Sequence, residues 1–167
     1  MDESDYTELS DNNYIWMRSM YGDISELIVD DLPILHGNPV MTTTYKDANL
    51  FYDFVTGRAV TRILHLLNQT PIDWFSKRQA TVETTTYGLE FIVAWIVVDQ
   101  IIALCTDLRY FGVPICKKSY LFGNNKSVIT SSTIPHSSLT KRHNALACHC
   151  VREAVASGFL KFIKLMV

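Results

Sequence analysis

The segment TTYGLEFIVAWIVVDQIIALCTDLRY, from Thr85 to Tyr110, decides the fold because the hydrophobic pattern changes its period there. Its apolar residues recur at intervals of three and four, which is the spacing of one face of an α-helix. Gly112 and Pro114 follow it, and both residue types are common just after a helix ends. The segment therefore predicts a long helix whose wide apolar stripe covers one face of a sheet.

The sequence before this helix has the pattern of β-strands. The stretch VMTTTYKDA, residues 40–48, is rich in β-branched residues, and similar stretches occupy residues 60–67 and 72–77. Residues 68–71, Asn-Gln-Thr-Pro, have the composition of a turn. Because the links are short, these three strands are predicted to form an antiparallel meander.

The sequence after the helix predicts one more strand, two helices and a last strand. Residues 120–122 form the fourth strand, and a parallel crossover is expected because a helix precedes it. A short helix follows at 126–131, then a helix at 140–157 that ends at Gly158, then a strand in FLKFIKLMV. Trp74 and Trp95 are interpreted as core aromatics, and Leu146 as part of the apolar side of its helix. The prediction is an α/β fold with a mixed five-stranded sheet.

Charge divides the 167 residues into two parts. Residues 1–31 carry nine acids and one base, whereas residues 32–167 carry eight acids and fourteen Lys and Arg. We predict an acidic N-terminal arm or linker over residues 1–38 and a folded domain over 39–167. A basic domain is suited to contact phosphates. The alternative is an ordinary solvated surface.

The sequence also bears on the cellular compartment. Its first residues, MDESDYTELS, are acidic and do not resemble a signal peptide. The four cysteines have neither disulfide-framework nor CxxC spacing, which favours reduced thiols. The apolar run at residues 91–98 is shorter than the ~20 residues of a membrane span. We expect an intracellular protein, cytoplasmic or nuclear, that is not secreted and has no membrane partner.

Asp47 and Glu90 are the acids in the most suggestive positions. Asp47 ends the first predicted strand, and Glu90 lies near the start of a helix rich in bulky apolar residues. A carboxylate there must be solvated, paired or metal-bound, because burying it alone is costly. If the helix crosses the first strand, Glu90 can face Asp47, and converging acids can bind Mg²⁺ or Mn²⁺. The alternative is that Asp47 caps a turn and that Glu90 is an exposed acid in the first helical turn, where the helix dipole favours a negative charge.

Several strings resemble the RNase H domain at the C-terminal end of copia-type LTR-retrotransposon polyproteins. They are DAN at 47–49, PIDWFSKRQATV at 71–82, LEF at 89–91, LFGNNKSV at 121–128 and TKRHNALACHCVREAV at 140–155. The resemblance covers about residues 40–163. It implies an RNase H-like fold and an ancestral activity, endonucleolytic hydrolysis of RNA in RNA–DNA hybrids during reverse transcription.

The resemblance also assigns site residues. Asp47 matches the first metal-binding Asp, Glu90 matches the helix Glu, and both would bind Mg²⁺ or Mn²⁺. Asn124 stands where the family has a third acid, and Asn125 matches the family's own Asn. The fourth acid belongs to a segment beyond the last strand, and this chain stops at Val167. We therefore expect a degenerate domain, truncated at its C-terminus, with weak or no nuclease activity.

Further residues are candidates for contact with nucleic acid. Lys77, Arg78, Lys126, Lys141 and Arg142 are predicted to form a rim around phosphates, and each is equally well explained as a solvated charge. His136 and His143 border the expected site and are possible auxiliary residues. The partners implied are an RNA–DNA hybrid and the neighbouring reverse-transcriptase region of a polyprotein. Two other hypotheses are a non-catalytic module that binds nucleic acid or protein, and a genomic relic with no selected role.

Overall fold

In a computed structural model, the described part of the protein places three helices on one face of a five-stranded mixed sheet. The structure describes residues 33–49, 55–79, 85–116, 118–134 and 145–165. The strands are β1 Thr42–Asn49, β2 Val60–Leu67, β3 Thr70–Arg78, β4 Ser119–Gly123 and β5 Leu160–Lys164. The helices are α1 Thr86–Tyr110, α2 Lys126–Thr133 and α3 Ala145–Ala156.

The sheet has the strand order β3-β2-β1-β4-β5. β1, β2 and β3 pair antiparallel, β4 is parallel to β1, and β5 is parallel to β4. The predicted element order and the parallel crossover to β4 are both confirmed. Strand ends differ by a few residues; Val40, for example, makes only an isolated bridge to Ile115.

The turn between β2 and β3 fixes the register of the meander. Asn68 and Gln69 have φ angles of 46° and 72°, the combination found in two-residue hairpin turns. The Asn68 side-chain oxygen also accepts a hydrogen bond from the Met41 amide at 2.8 Å. The turn is therefore tied to the start of β1.

Helix α1 supplies much of the core. Thr85 caps its first turn by accepting a hydrogen bond from the Gly88 amide at 3.3 Å. Its inward residues include Leu89, Phe91 and Val97, all with no exposed surface. By length and composition α1 could cross a membrane, but 56% of its most apolar window is buried within the protein, as in the core helix of a soluble domain.

The two faces of the sheet differ in what covers them. Along β1, Thr42, Thr44, Lys46 and Ala48 are buried on the face that carries the helices. The alternate residues point to the opposite face, and the described helices all lie away from it. Strand register aligns one row of side chains across this open face: Trp74, Leu64, Tyr45, Phe122 and Ile163. The Tyr45 and Phe122 rings stack with their centroids 4.9 Å apart.

Three expected core residues are exposed. Trp74 is 77% exposed, because it lies on the edge strand and on the open face. Trp95 is 40% exposed, since its neighbours Ala94 and Val98 take the inward positions of α1. Leu146 is 68% exposed, on the outer side of α3. The prediction that these side chains belong to the core is wrong.

Two predicted segments extend beyond the described residues. Most of the acidic arm, residues 1–32, lies outside them, and so do the first five residues of the predicted helix at 140–157. The described end of the arm is exposed, and the His36 amide donates to the Gly112 carbonyl at 2.8 Å. Gly112 has a φ of 71°, and a Cβ there would lie 2.8 Å from the Ile34 carbonyl oxygen. Glycine is therefore required where the arm passes the end of α1.

The four cysteines are free thiols. Burial raises the pKa of the Cys105 thiol to about 11, against the effect of hydrogen bonds from Ser119 and Thr42. Burial also raises the pKa of Cys148 and Cys150. A raised pKa favours the protonated, weakly nucleophilic form of a thiol.

Candidate functional site

Asp47 lies near the end of β1 on the open face of the sheet. Its cross-strand partner is Arg62 of β2, whose Nη1 lies 3.5 Å from Asp47 Oδ2. Both side chains are about half exposed. An ion pair of this length in solvent contributes little to stability, but it gives Asp47 a cationic neighbour.

Asn124 comes to the same place because β4 runs parallel to β1. The carboxyl ends of parallel strands meet at one edge of the sheet, and Asn124 follows the last residue of β4. Its Nδ2 donates to Asp47 Oδ1 at 3.4 Å. Asn125 instead caps α2, because its Oδ1 accepts a hydrogen bond from the Val128 amide at 3.2 Å. The structure thus brings Asp47 and Asn124 together.

Glu90 lies on the face of the sheet that the helices cover, and not beside Asp47 and Asn124. It lies in the first turns of α1 with 1% of its side chain exposed, and its carboxylate forms an ion pair with the Lys46 ammonium. Lys46 Nζ also donates to the Glu90 carbonyl at 3.2 Å. Because Lys46 and Asp47 are successive strand residues, their side chains point to opposite faces. The structure therefore places Glu90 against Lys46 and not against Asp47.

Lys46 is fully buried in a close-fitting pocket. Its Nζ lies 5.6 Å from the centroid of the Phe162 ring. A Cβ on Gly123 would lie 3.2 Å from Lys46 Cε and 3.0 Å from the Phe162 ring, so glycine leaves the room that the lysine stem occupies. Burial lowers the pKa of Lys46, and the Glu90 carboxylate opposes that shift.

These residues do not fit a pair of divalent ions. Two hydrolytic metal ions lie ~3.5–4 Å apart and need several carboxylates that converge on them. Within the described ranges, no three His, Cys, Asp or Glu side chains are grouped so that they could hold a metal. Glu90 contacts an ammonium, and Asp47 contacts a guanidinium and an amide. The expected Mg²⁺ or Mn²⁺ site is not assembled by these side chains.

The predicted basic rim is described only in part. Lys77 and Arg78 are exposed at the end of β3, the same end of the sheet as Asp47, and line an open cavity of about 300 Å³ with Phe75. Lys126 is exposed at the start of α2, next to the Asn125 cap. The remaining candidates lie outside the described residues: Lys141, Arg142, His136 and His143.

Lys46 and Arg62 are the residues that sequence reasoning missed. A signal for Lys46 was available, because the strand alternation that points Asp47 to one face points Lys46 to the other. Lys46 lies on the same strand face as Thr42, Thr44 and Ala48, and a lysine buried on that face needs an acceptor or an opposite charge as its partner. Arg62 carried no comparable signal, since its role follows from cross-strand register.

Comparison with known proteins finds similarity in fold alone. No protein-family model matches the chain, and no curated protein matches it. RNase H1 from the archaeon Halobacterium salinarum superposes with a TM-score of 0.52 at 14% identity, covering 75% of this chain and 85% of its own. The N-terminal RNase H domain of a Mycobacterium tuberculosis protein gives 0.52 at 12% identity, covering 76% and 87%.

A third similar structure is LC11-RNase H1, isolated from compost, with a TM-score of 0.53 at 12% identity, covering 75% of this chain and 84% of its own. Identities this low carry no information on activity, but three superpositions over three quarters of the chain agree with the observed strand order. The chain has the RNase H-like fold.

Proposed function

We propose that this chain is an RNase H-like domain derived from a copia-type LTR retrotransposon and that it does not hydrolyse RNA–DNA hybrids. The fold and the strings PIDWFSKRQATV and TKRHNALACHCVREAV support the origin. The ancestral activity would be endonucleolytic cutting of RNA during reverse transcription, next to a reverse transcriptase in one polyprotein. An intracellular location follows from that origin.

The main support for the proposed lack of activity is the ion pair between Lys46 and Glu90. A carboxylate in contact with a buried ammonium is already neutralised and would have to give up that partner before it could bind a metal. Asn124 adds an uncharged amide where the family resemblance expects an acid. Even changes around the ligands of a metal cost ~10–100-fold in activity or affinity, and here the ligand positions themselves are altered.

Hydrolysis of a labelled RNA–DNA hybrid tests this proposal directly. We expect no cleavage above background by the native chain with Mg²⁺ or Mn²⁺, and none by Asn124→Asp, because Glu90 remains paired with Lys46. The control is Asp47→Asn, run on the same preparation. Cleavage by the native chain that disappears in Asp47→Asn would show a working metal site and overturn the proposal.

A second candidate function is a module that binds nucleic acid without cutting it, and the open face of the sheet favours it. Trp74, Tyr45 and Phe122 lie in one row there, and Arg62 and Lys161 lie on the same face by register. Aromatic side chains beside basic groups are the means by which proteins bind single strands without sequence preference. An aromatic and partly apolar surface of this kind is also suited to a protein partner.

Binding measurements separate the two candidates. A binding module should retain a labelled single strand without Mg²⁺ and lose affinity as salt rises. We expect Trp74→Ala to weaken binding about 5–100-fold, the effect of losing one stacked base. Trp95→Ala is the matched control, because Trp95 lies on α1, among the helices that cover the opposite face. Equal affinities for the two variants would exclude the open face as the contact surface.

A further inference from the structure

The Lys46 ammonium has two hydrogen-bond acceptors and one aromatic neighbour. It donates to the Glu90 carboxylate and to the Glu90 carbonyl, and the Phe162 ring centroid lies 5.6 Å from its Nζ. The start of α1, the end of β4 and strand β5 supply the walls. Within these walls Glu90 is 1% exposed, and the cation that its carboxylate contacts is the Lys46 ammonium.

We propose that the Lys46 ammonium is a built-in cation that takes the place of a divalent metal at Glu90, so that the folded chain is independent of Mg²⁺ and Mn²⁺. This inference deepens the proposed function, since it names the group that makes the site metal-free. It rests on the described contacts and does not require the chain to bind nucleic acid.

Charge balance in the pocket supports the proposal. A buried carboxylate is retained only when a cation or several donors compensate its charge. Lys46 supplies one positive charge for the one negative charge of Glu90, and side-chain exposure of the two is 0% and 1%. A divalent ion would bring an excess of positive charge next to the ammonium. Lysine and metal therefore exclude each other at this position.

Removing the ammonium should convert the pocket into a cation site. Lys46→Ala would leave the volume of the lysine stem beside two oxygen donors of Glu90, its carboxylate and its carbonyl. Hard oxygen donors suit Mg²⁺ and Mn²⁺, and waters can complete the coordination. The native chain and the variant should then respond to metal in opposite ways.

The test is thermal unfolding with and without millimolar Mn²⁺, together with a count of bound Mn²⁺ by electron paramagnetic resonance. For the native chain we expect an unchanged midpoint and no bound ion. Without metal, Lys46→Ala should melt about 5–15 °C lower, and Mn²⁺ should restore part of that loss with one ion bound. Lys161→Ala, which removes an exposed lysine of β5, is the matched control and should show neither effect.

Two results would overturn the proposal. One is stabilisation of the native chain by Mn²⁺ with an ion bound, and the other is a folded Lys46→Ala variant that binds no Mn²⁺. Should Lys46→Ala fail to fold, Lys46→Gln keeps most of the stem and adds an amide oxygen, and the same two readouts apply. A negative result here would leave the hydrolysis assay to decide the proposed function separately.

Discussion

Replacing Lys46 with methionine should lower the free energy of unfolding by about 3–5 kcal/mol, the cost of breaking a buried ion pair on one side. Methionine has nearly the length of the lysine stem, so the loss of packing beside Gly123 and Phe162 is small. Most of the loss comes from the Glu90 carboxylate, because it stays buried at 1% exposure after its counter-ion has been removed. Urea unfolding at neutral pH measures the difference.

A double variant separates charge from packing. Lys46→Met combined with Glu90→Leu replaces the pair with apolar side chains, and such replacements are often neutral or stabilising. We therefore expect the double variant to regain most of the stability that Lys46→Met loses. Arg62→Met is the control for an exposed pair and should cost less than about 1 kcal/mol. Equal losses for Lys46→Met and Arg62→Met would mean that Glu90 is not buried as described.

Local patterns were sufficient to predict most of the fold. The change from a period of two to a period of 3.6 after residue 85 identified α1 to within one residue, because Thr85 is its cap. β2 was predicted with its observed ends, since Asn68 and Gln69 form a turn that stops it. The parallel placement of β4 followed from the crossover helix, and three superposed RNase H structures agree with that topology.

The candidate site was less predictable because it depends on the direction of side chains. The family resemblance predicted that Asp47 and Asn124 lie near each other, and in the structure Asn124 Nδ2 lies 3.4 Å from Asp47 Oδ1. The resemblance did not predict the ion pair between Lys46 and Glu90. That contact depends on the depth at which α1 crosses β1 and on the space left by Gly123, and neither is encoded in residue spacing.

The aromatic residues show the same limit on a larger scale. Hydrophobicity alone favours tryptophan as a core residue, yet Trp74 and Trp95 are exposed while Phe91, Phe159 and Phe162 are buried. For Trp74 the reason is topological: it lies on an edge strand, on the face without described helices. For Trp95 the reason is the rotation of α1 about its own axis. Apolar residues cover so much of this helix that the sequence does not determine which side faces the sheet.

Phe91→Ala should therefore cost about 3–5 kcal/mol, the usual loss for a fully buried phenylalanine. Phe91 has no exposed surface and meets Tyr87 edge to face, with centroids 4.9 Å apart. Trp95→Ala, one turn further along α1, is the matched control and should cost about 1–2 kcal/mol, because a larger ring leaves 40% of its residue in solvent.

Urea midpoints at constant slope give both values. If Trp95→Ala were the more damaging change, α1 would have to be rotated about its axis by roughly 40°, the angle between positions 91 and 95 at 3.6 residues per turn. That rotation would move Glu90 away from Lys46 as well. The pair of aromatic variants thus tests, without any metal or nucleic acid, the helix orientation on which the ion pair and the metal-independent site both depend.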